Sequence, residues 1–111
     1  HAAILKPKFD IVIKTVNEEL AGKGIASWFA PKGGYFISLD VMDGCAKRVG
    51  ELCKEAGVTL TSVGATYPYG KDPNNKNIRI APSFPPVDEL SLAAELLCIC
   101  TRLAAAEKLL G

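Results

Sequence analysis

Apolar positions along the chain recur with two different periods, and the switches between them mark out the elements. Phe9, Val12, Ile13, Val16 and Leu20 fall three and four residues apart, which predicts a helix with one apolar stripe. Its expected entry follows Lys6-Pro7, since proline suits a first helical turn, and Gly22-Lys23-Gly24 is expected to end it. Ile25-Ala-Ser-Trp-Phe-Ala30 and Tyr35-Phe-Ile-Ser-Leu-Asp-Val41 then predict two strands. The Pro31-Lys32-Gly33-Gly34 turn between them makes the pair a hairpin. In the second strand Tyr35, Ile37, Leu39 and Val41 share one face, and Phe36, Ser38 and Asp40 share the other.

A second helix is expected after Asp43-Gly44, with Asp43 as N-cap. Its stripe is Cys45, Val49, Leu52, Cys53 and Ala56, and Gly57 closes it. Val58-Thr-Leu-Thr61 predicts a short strand. The polar stretch from Gly64 to Asn77, with Pro68, Gly70 and Pro73, predicts loop. Asn77-Ile-Arg-Ile-Ala81 predicts another strand, and the prolines of 82–86 predict an extended lead into a last helix over about Val87 to Leu110. Leu90, Leu92, Ala93, Ala94, Leu96, Leu97, Cys98, Ile99 and Cys100 leave that helix almost no polar face. Either small exposed apolar residues dilute its pattern, or a further domain or subunit covers a second side. The order helix, hairpin, helix, strand, strand, helix predicts an α+β domain: a small, mainly antiparallel sheet with helices packed over it.

Composition narrows the classes. The 111 residues allow one domain, residues 1–111, and 49% hydrophobic with 23% charged residues is a globular balance. A formal net charge of +1 gives no electrostatic reason to expect nucleic acid or an anionic membrane surface. No apolar run reaches the roughly 18–20 residues a membrane span needs, and His1-Ala-Ala-Ile-Leu-Lys is too short for a signal peptide. The chain opens on His1 and not on Met, so a trimmed protein or a fragment is expected. Cys45 and Cys53 lie eight apart in a helical pattern, about 12 Å of rise, too far to bridge. Cys98 and Cys100 do not share a helix face, no Cys-x-x-Cys is present, and the single histidine is terminal. Reduced, buried thiols, a cytoplasmic location and no metal site are expected.

Candidate chemistry is sparse. Without a dinucleotide fingerprint, a Walker loop or an internal histidine, no catalytic set is expected. Gly33-Gly34 is turn geometry, since no helix N-terminus follows it. Lys71 lies between Gly70 and Asp72-Pro73, an exposed turn unsuited to lowering an amine's pKa for imine chemistry. Tyr67 and Tyr69 suit packing on the loop. Trp28 and Phe29 point to opposite faces, so one ring is expected in the core and the other at an edge or interface. Arg79 stands out, because only three arginines accompany ten lysines and this one lies inside a short strand. Two readings are open. A planar guanidinium binds a carboxylate through two parallel hydrogen bonds, which lysine cannot reproduce; equally, an edge-strand arginine makes a surface salt bridge worth about 0–1 kcal/mol.

Four runs in order carry a resemblance: Phe29-Ala-Pro-Lys-Gly-Gly-Tyr-Phe-Ile-Ser-Leu-Asp40, Glu55-Ala-Gly-Val58, Gly64-Ala-Thr-Tyr-Pro-Tyr-Gly-Lys-Asp-Pro73 and Asn77-Ile-Arg-Ile-Ala-Pro-Ser-Phe-Pro85. Over nearly its whole length the chain resembles the C-terminal small domain of fold-type I, pyridoxal-phosphate-dependent aminotransferases, and within them the bacterial aspartate-aminotransferase-like branch. The resemblance implies that Arg79 binds the substrate α-carboxylate and holds the amino acid over the cofactor, which is catalysis by positioning. It also implies that the imine lysine, the phosphate-binding residues and the aspartate paired with the pyridine nitrogen lie upstream, outside this chain. The expected whole is then a cytoplasmic homodimer carrying pyridoxal 5'-phosphate. It moves an amino group between an amino acid, with aspartate or glutamate the candidates, and a 2-oxo acid. The 111 residues alone are expected to hold no cofactor and to be inactive. The alternatives are a stand-alone carboxylate-binding or self-association module, and a regulatory amino-acid-binding domain.

Overall fold

The structure, a computed structural model, describes residues 2–30, 36–59, 61–63, 73–82 and 86–111. Their elements run α1 (Ala2–Leu20), β1 (Ala26–Phe29), β2 (Ile37–Val41), α2 (Ala46–Glu55), β3 (Thr61–Val63), β4 (Asn77–Ile80) and α3 (Val87–Leu110). The four strands form one antiparallel sheet in the order β1-β2-β4-β3. The expected α+β class, element order and β1–β2 pairing are all present; the turn at 31–34 and most of the Gly64–Asn77 stretch lie outside the described residues.

The strand period of two divides the sheet. Ile37, Leu39 and Val41 of β2 and Ile78 and Ile80 of β4 are buried on one face. Val12, Val16 and Leu20 of α1, Ala46, Val49 and Cys53 of α2, and Leu90, Ala94, Leu97 and Cys98 of α3 close over them as one core. Trp28 belongs to this side and donates its indole N–H to Asn17 Oδ1 of α1 at 3.0 Å. Phe29, on the other face, is 63% exposed, as the alternation predicts. α3 lies along α1 and also meets α2, so it is the central helix.

Four expectations need correction. Pro7 lies inside α1, not at its entry: proline deletes one N–H donor and biases its predecessor away from helix, but does not forbid a preceding turn. Asp43 is not the cap of α2. Asp43-Gly44 forms a turn, and Cys45 stands at the N-cap without a side-chain bond. The unpaired N–H groups of the first turn are met from elsewhere. Asn75 accepts from Ala46 N–H with its carbonyl at 2.9 Å and from Lys47 N–H with its side-chain oxygen at 3.0 Å, while its amide donates to Gly44 O at 3.0 Å. The third strand begins at Thr61 and not at Val58. Gly57, at φ 82°, ends α2 in a Schellman turn, and that turn takes Val58 N–H to Cys53 O at 2.8 Å, which removes it from any ladder. Ala56, placed in the buried stripe by spacing, is exposed at the cap of α2.

α3 has the predicted bounds and two apolar sides. Leu90, Ala94, Leu97, Cys98, Thr101, Ala104 and Ala105 face inward. On the outer side Leu92, Ile99, Leu103 and Leu110 are exposed, and with half-buried Leu96 and exposed Ala106 they form a row spaced four, three, four, three and four residues apart.

Candidate functional site

The sheet face turned away from the helices carries the polar residues of β2 and β4. Ser38 pairs with Arg79 and Asp40 with Asn77, and Ser62 of β3 is in register with Arg79 from the other side. Arg79 is therefore central in the sheet, between two serine positions, and is half-buried. Its guanidinium lies over the Phe36 ring, 4.2 Å from the ring centre, close enough for the π face to attract the cation. Beside it, Asn77 and Ser38 are buried. The amide of Asn77 donates to Ser38 Oγ at 2.9 Å and to Asp40 Oδ1 at 2.9 Å.

The other two arginines behave differently. Arg48 grips Glu107 with Nε and a terminal nitrogen, at 2.8 and 3.1 Å, and clips α2 to α3. Hydrogen bonding to Arg48 holds the Glu107 carboxyl below its ordinary pKa. Arg102 meets Glu19 at 3.3 Å and clips α3 to α1. Both pairs are solvent-exposed. Arg79 has no carboxylate partner among the described residues; its neighbour is an aromatic ring. Among the described residues, neither of the two readings the sequence left open finds its carboxylate here.

A ring is no hydrogen-bond acceptor of the kind a carboxylate is, so a guanidinium held by one still has N–H donors to offer a carboxylate through two parallel bonds. Together Ser38, Asp40, Asn77 and Arg79 form a row with one guanidinium, one acid, one amide and one hydroxyl, and none of the four is a lysine or a helix N-terminus. It suits a carboxylate ligand and lacks what an imine and a phosphate group require, so these residues by themselves do not fit pyridoxal phosphate. Among the described residues three open grooves of about 330–460 Å³ are present, of which one reaches the row at Asp40. One is at the α2–β3 edge around Lys47 and Lys54, one at the end of β1 around Asp40 and Asp43, and one between the end of α2 and the start of α3. Arg79 lines none of them. Lys71, Tyr67, Tyr69 and Gly33-Gly34 lie outside the described residues.

Among the described residues no cluster of histidine, cysteine and acidic side chains could hold a metal, and no helix is long and apolar enough to cross a membrane. The cysteines are free and buried. Burial pushes the Cys53 thiol up to about 12, with Cys100 beside it adding to the rise, and burial pushes Cys98 up to about 12, with Glu19 contributing. Neutral thiols of this kind are poor nucleophiles.

The polar neighbours of Arg79 across the sheet, Ser38, Asp40 and Asn77, are what sequence reasoning missed. The alternation placed Phe36, Ser38 and Asp40 on one face, and Asn77 and Arg79 on one face. Nothing local revealed that β2 pairs with β4 in a register that brings those two faces into one row.

Known proteins share this architecture. Residues 1–111 match the family model described as Aspartate amino-transferase. An aspartate aminotransferase of Corynebacterium glutamicum is 55% identical over 107 residues, 96% of this chain and 25% of that protein. The crystal structure of an aspartate transaminase from Corynebacterium glutamicum superimposes with a TM-score of 0.90 at 55% identity, over 97% of this chain and 26% of that one. An α-aminoadipate aminotransferase from Thermus thermophilus, solved with N-(5'-phosphopyridoxyl)-L-leucine, shares the fold with a TM-score of 0.77 at 14% identity, over 94% of this chain and 26% of its own. The chain thus spans about a quarter of the length of these relatives. With its full length matched, its sheet and helices superimposed and its sequence more than half identical to an aspartate aminotransferase, the chain belongs to the aspartate amino-transferase family.

Proposed function

We propose that this chain is the C-terminal small domain of a longer, pyridoxal-phosphate-dependent aminotransferase, and that Arg79 binds the α-carboxylate of the amino-acid substrate. The observation that carries this is Arg79 itself: central in the sheet, on the face free of the described helices, with its guanidinium over the Phe36 ring and unmatched by any described carboxylate. A substrate carboxylate supplies the missing anion. Two parallel hydrogen bonds fix its plane, and with it the direction in which the amino group is presented. The residues here bind and orient. The exchange of the amino group with a 2-oxo acid belongs to pyridoxal phosphate, held by residues of the longer enzyme. Aspartate and glutamate are the proposed amino acids, supported by the aspartate aminotransferase at 55% identity.

The same reading makes the enzyme a cytoplasmic homodimer, supported by the free buried thiols and by the outer row of α3, an apolar surface suited to a further domain or subunit. That row equally supports the rival, a module that associates with itself; sedimentation of the 111-residue chain alone separates them, since the rival requires a dimer at micromolar concentration. The direct test is kinetic. Arg79→Ala in the complete enzyme is expected to weaken transition-state binding of amino acids by about 2–5 kcal/mol, the range for a desolvated charge pair, with thermal stability preserved. Near-normal kcat/KM in that variant contradicts the assignment.

A further inference from the structure

Cross-strand geometry gives Arg79 a choice of neighbours. It stands opposite Ser38 on β2, so its diagonal neighbours on that strand are Phe36 and Asp40. Diagonal partners lie within reach of a long side chain, and an acid there ordinarily pairs with an arginine. The guanidinium nonetheless rests on Phe36, and Asp40 is held by Asn77. The orientation of that amide is set by its partners. Turned over, it would present its oxygen to the Asp40 carboxylate, which only accepts, so the nitrogen must face Asp40 and its second hydrogen falls to Ser38 Oγ. Asn77 is 2% exposed and Ser38 6% exposed, so this is a fixed, buried arrangement and not one surface rotamer among many.

An arginine that must receive a ligand's carboxylate is disabled when an acid of its own protein occupies it. We propose that Asn77 is a positioning residue that holds Asp40 away from Arg79, so that the guanidinium stays on the Phe36 ring, un-neutralised and open to an incoming carboxylate. Asn77 does this without touching the ligand. Ser38, opposite Arg79, is small enough for the arginine to pass over it toward the ring, and its hydroxyl takes the other amide hydrogen. This inference rests on the reading of Arg79 as the carboxylate site.

The test uses the complete enzyme and succinate, an unreactive dicarboxylate, with affinity measured by calorimetry. Asn77→Leu keeps the volume and deletes the amide. It is expected to weaken succinate about three- to tenfold, as an internal ion pair with Asp40 competes for Arg79. Asp40→Asn is expected to bind at least as tightly as the parent, and Asn77→Leu with Asp40→Asn to recover most of the loss, which a purely structural role of Asn77 would not produce. Phe36→Leu provides a second route should Asn77→Leu fail to fold. It removes the ring's hold and is expected to show the same loss, recovered in the same way by Asp40→Asn. Unchanged affinity in Asn77→Leu, or losses that Asp40→Asn does not recover, overturn the proposal. Arg79→Ala with undiminished succinate affinity overturns instead the reading on which it rests.

Discussion

Asn75 shows how much of this molecule is decided by single side chains acting at a distance. It adopts a φ of 48°, a left-handed conformation that asparagine tolerates better than most residues. That bend turns both its carbonyl and its side-chain oxygen toward the N–H groups that open α2, 28 residues away in the chain at Lys47. Its neighbour Asn74 contributes only a backbone carbonyl, to Gly44 N–H at 2.8 Å. Asn75→Ala is therefore expected to cost about 1–2 kcal/mol, the range for losing a helix cap, and Asn74→Ala no more than about 0.5 kcal/mol. Urea denaturation of the two variants tests this, and equal losses would show that the cap contributes nothing. Residue-scale detail was also the least legible in the sequence. Asp43 had the right type and the right place for a cap, yet the bond is made by a residue beyond the third strand. The role of Asn77 was hidden for the same reason: its type was visible, its partners across the sheet were not.

At the scale of elements the sequence was far more transparent. α3 spans Val87–Leu110 as its pattern predicts, because a run of leucine and alanine bounded by prolines and a glycine has little freedom to do anything else. β4 was bounded by its own alternation. β3 was misplaced because the chain leaves α2 through a Schellman turn, and that geometry consumes the N–H on which a strand at Val58 would depend. The two sides of α3 make a quantitative contrast. Leu97 is fully buried, and Leu97→Ala is expected to destabilise the chain by about 2–5 kcal/mol through lost burial and a residual cavity. Ile99 is 53% exposed on the outer row, and Ile99→Ala is expected to change stability by no more than about 0.5 kcal/mol in the 111-residue chain. Comparable losses at the two positions, measured by denaturation, would mean that the outer row is already covered in the isolated chain.

For the molecule as a whole, the buried thiols tie stability to pH. Cys53 and Cys98 have folded pKa values raised from 9.0 to about 12, chiefly by burial. The unfolded chain loses these protons at lower pH than the folded one, so the stabilising contribution is fully present below about pH 9 and is lost as pH rises toward about 12. The denaturation midpoint should fall over that window, and Cys53→Ala with Cys98→Ala should flatten the decline; an identical slope in the double variant would assign the alkaline loss to other groups. Class and element order at this scale could be read from periodicity alone, and the family could be read from four motif runs. The strand order β1-β2-β4-β3 could not, since it brings together residues some forty positions apart, and it is this pairing that creates the row around Arg79. The central claim is that Arg79 exists to receive a carboxylate. The measurement that meets it most directly is a crystal structure of the complete enzyme with succinate bound. The account predicts one succinate carboxylate lying in the plane of the Arg79 guanidinium, joined by two parallel hydrogen bonds, with Asp40 still on Asn77. Succinate bound with no contact to Arg79, or Arg79 paired with Asp40 in its presence, would contradict it.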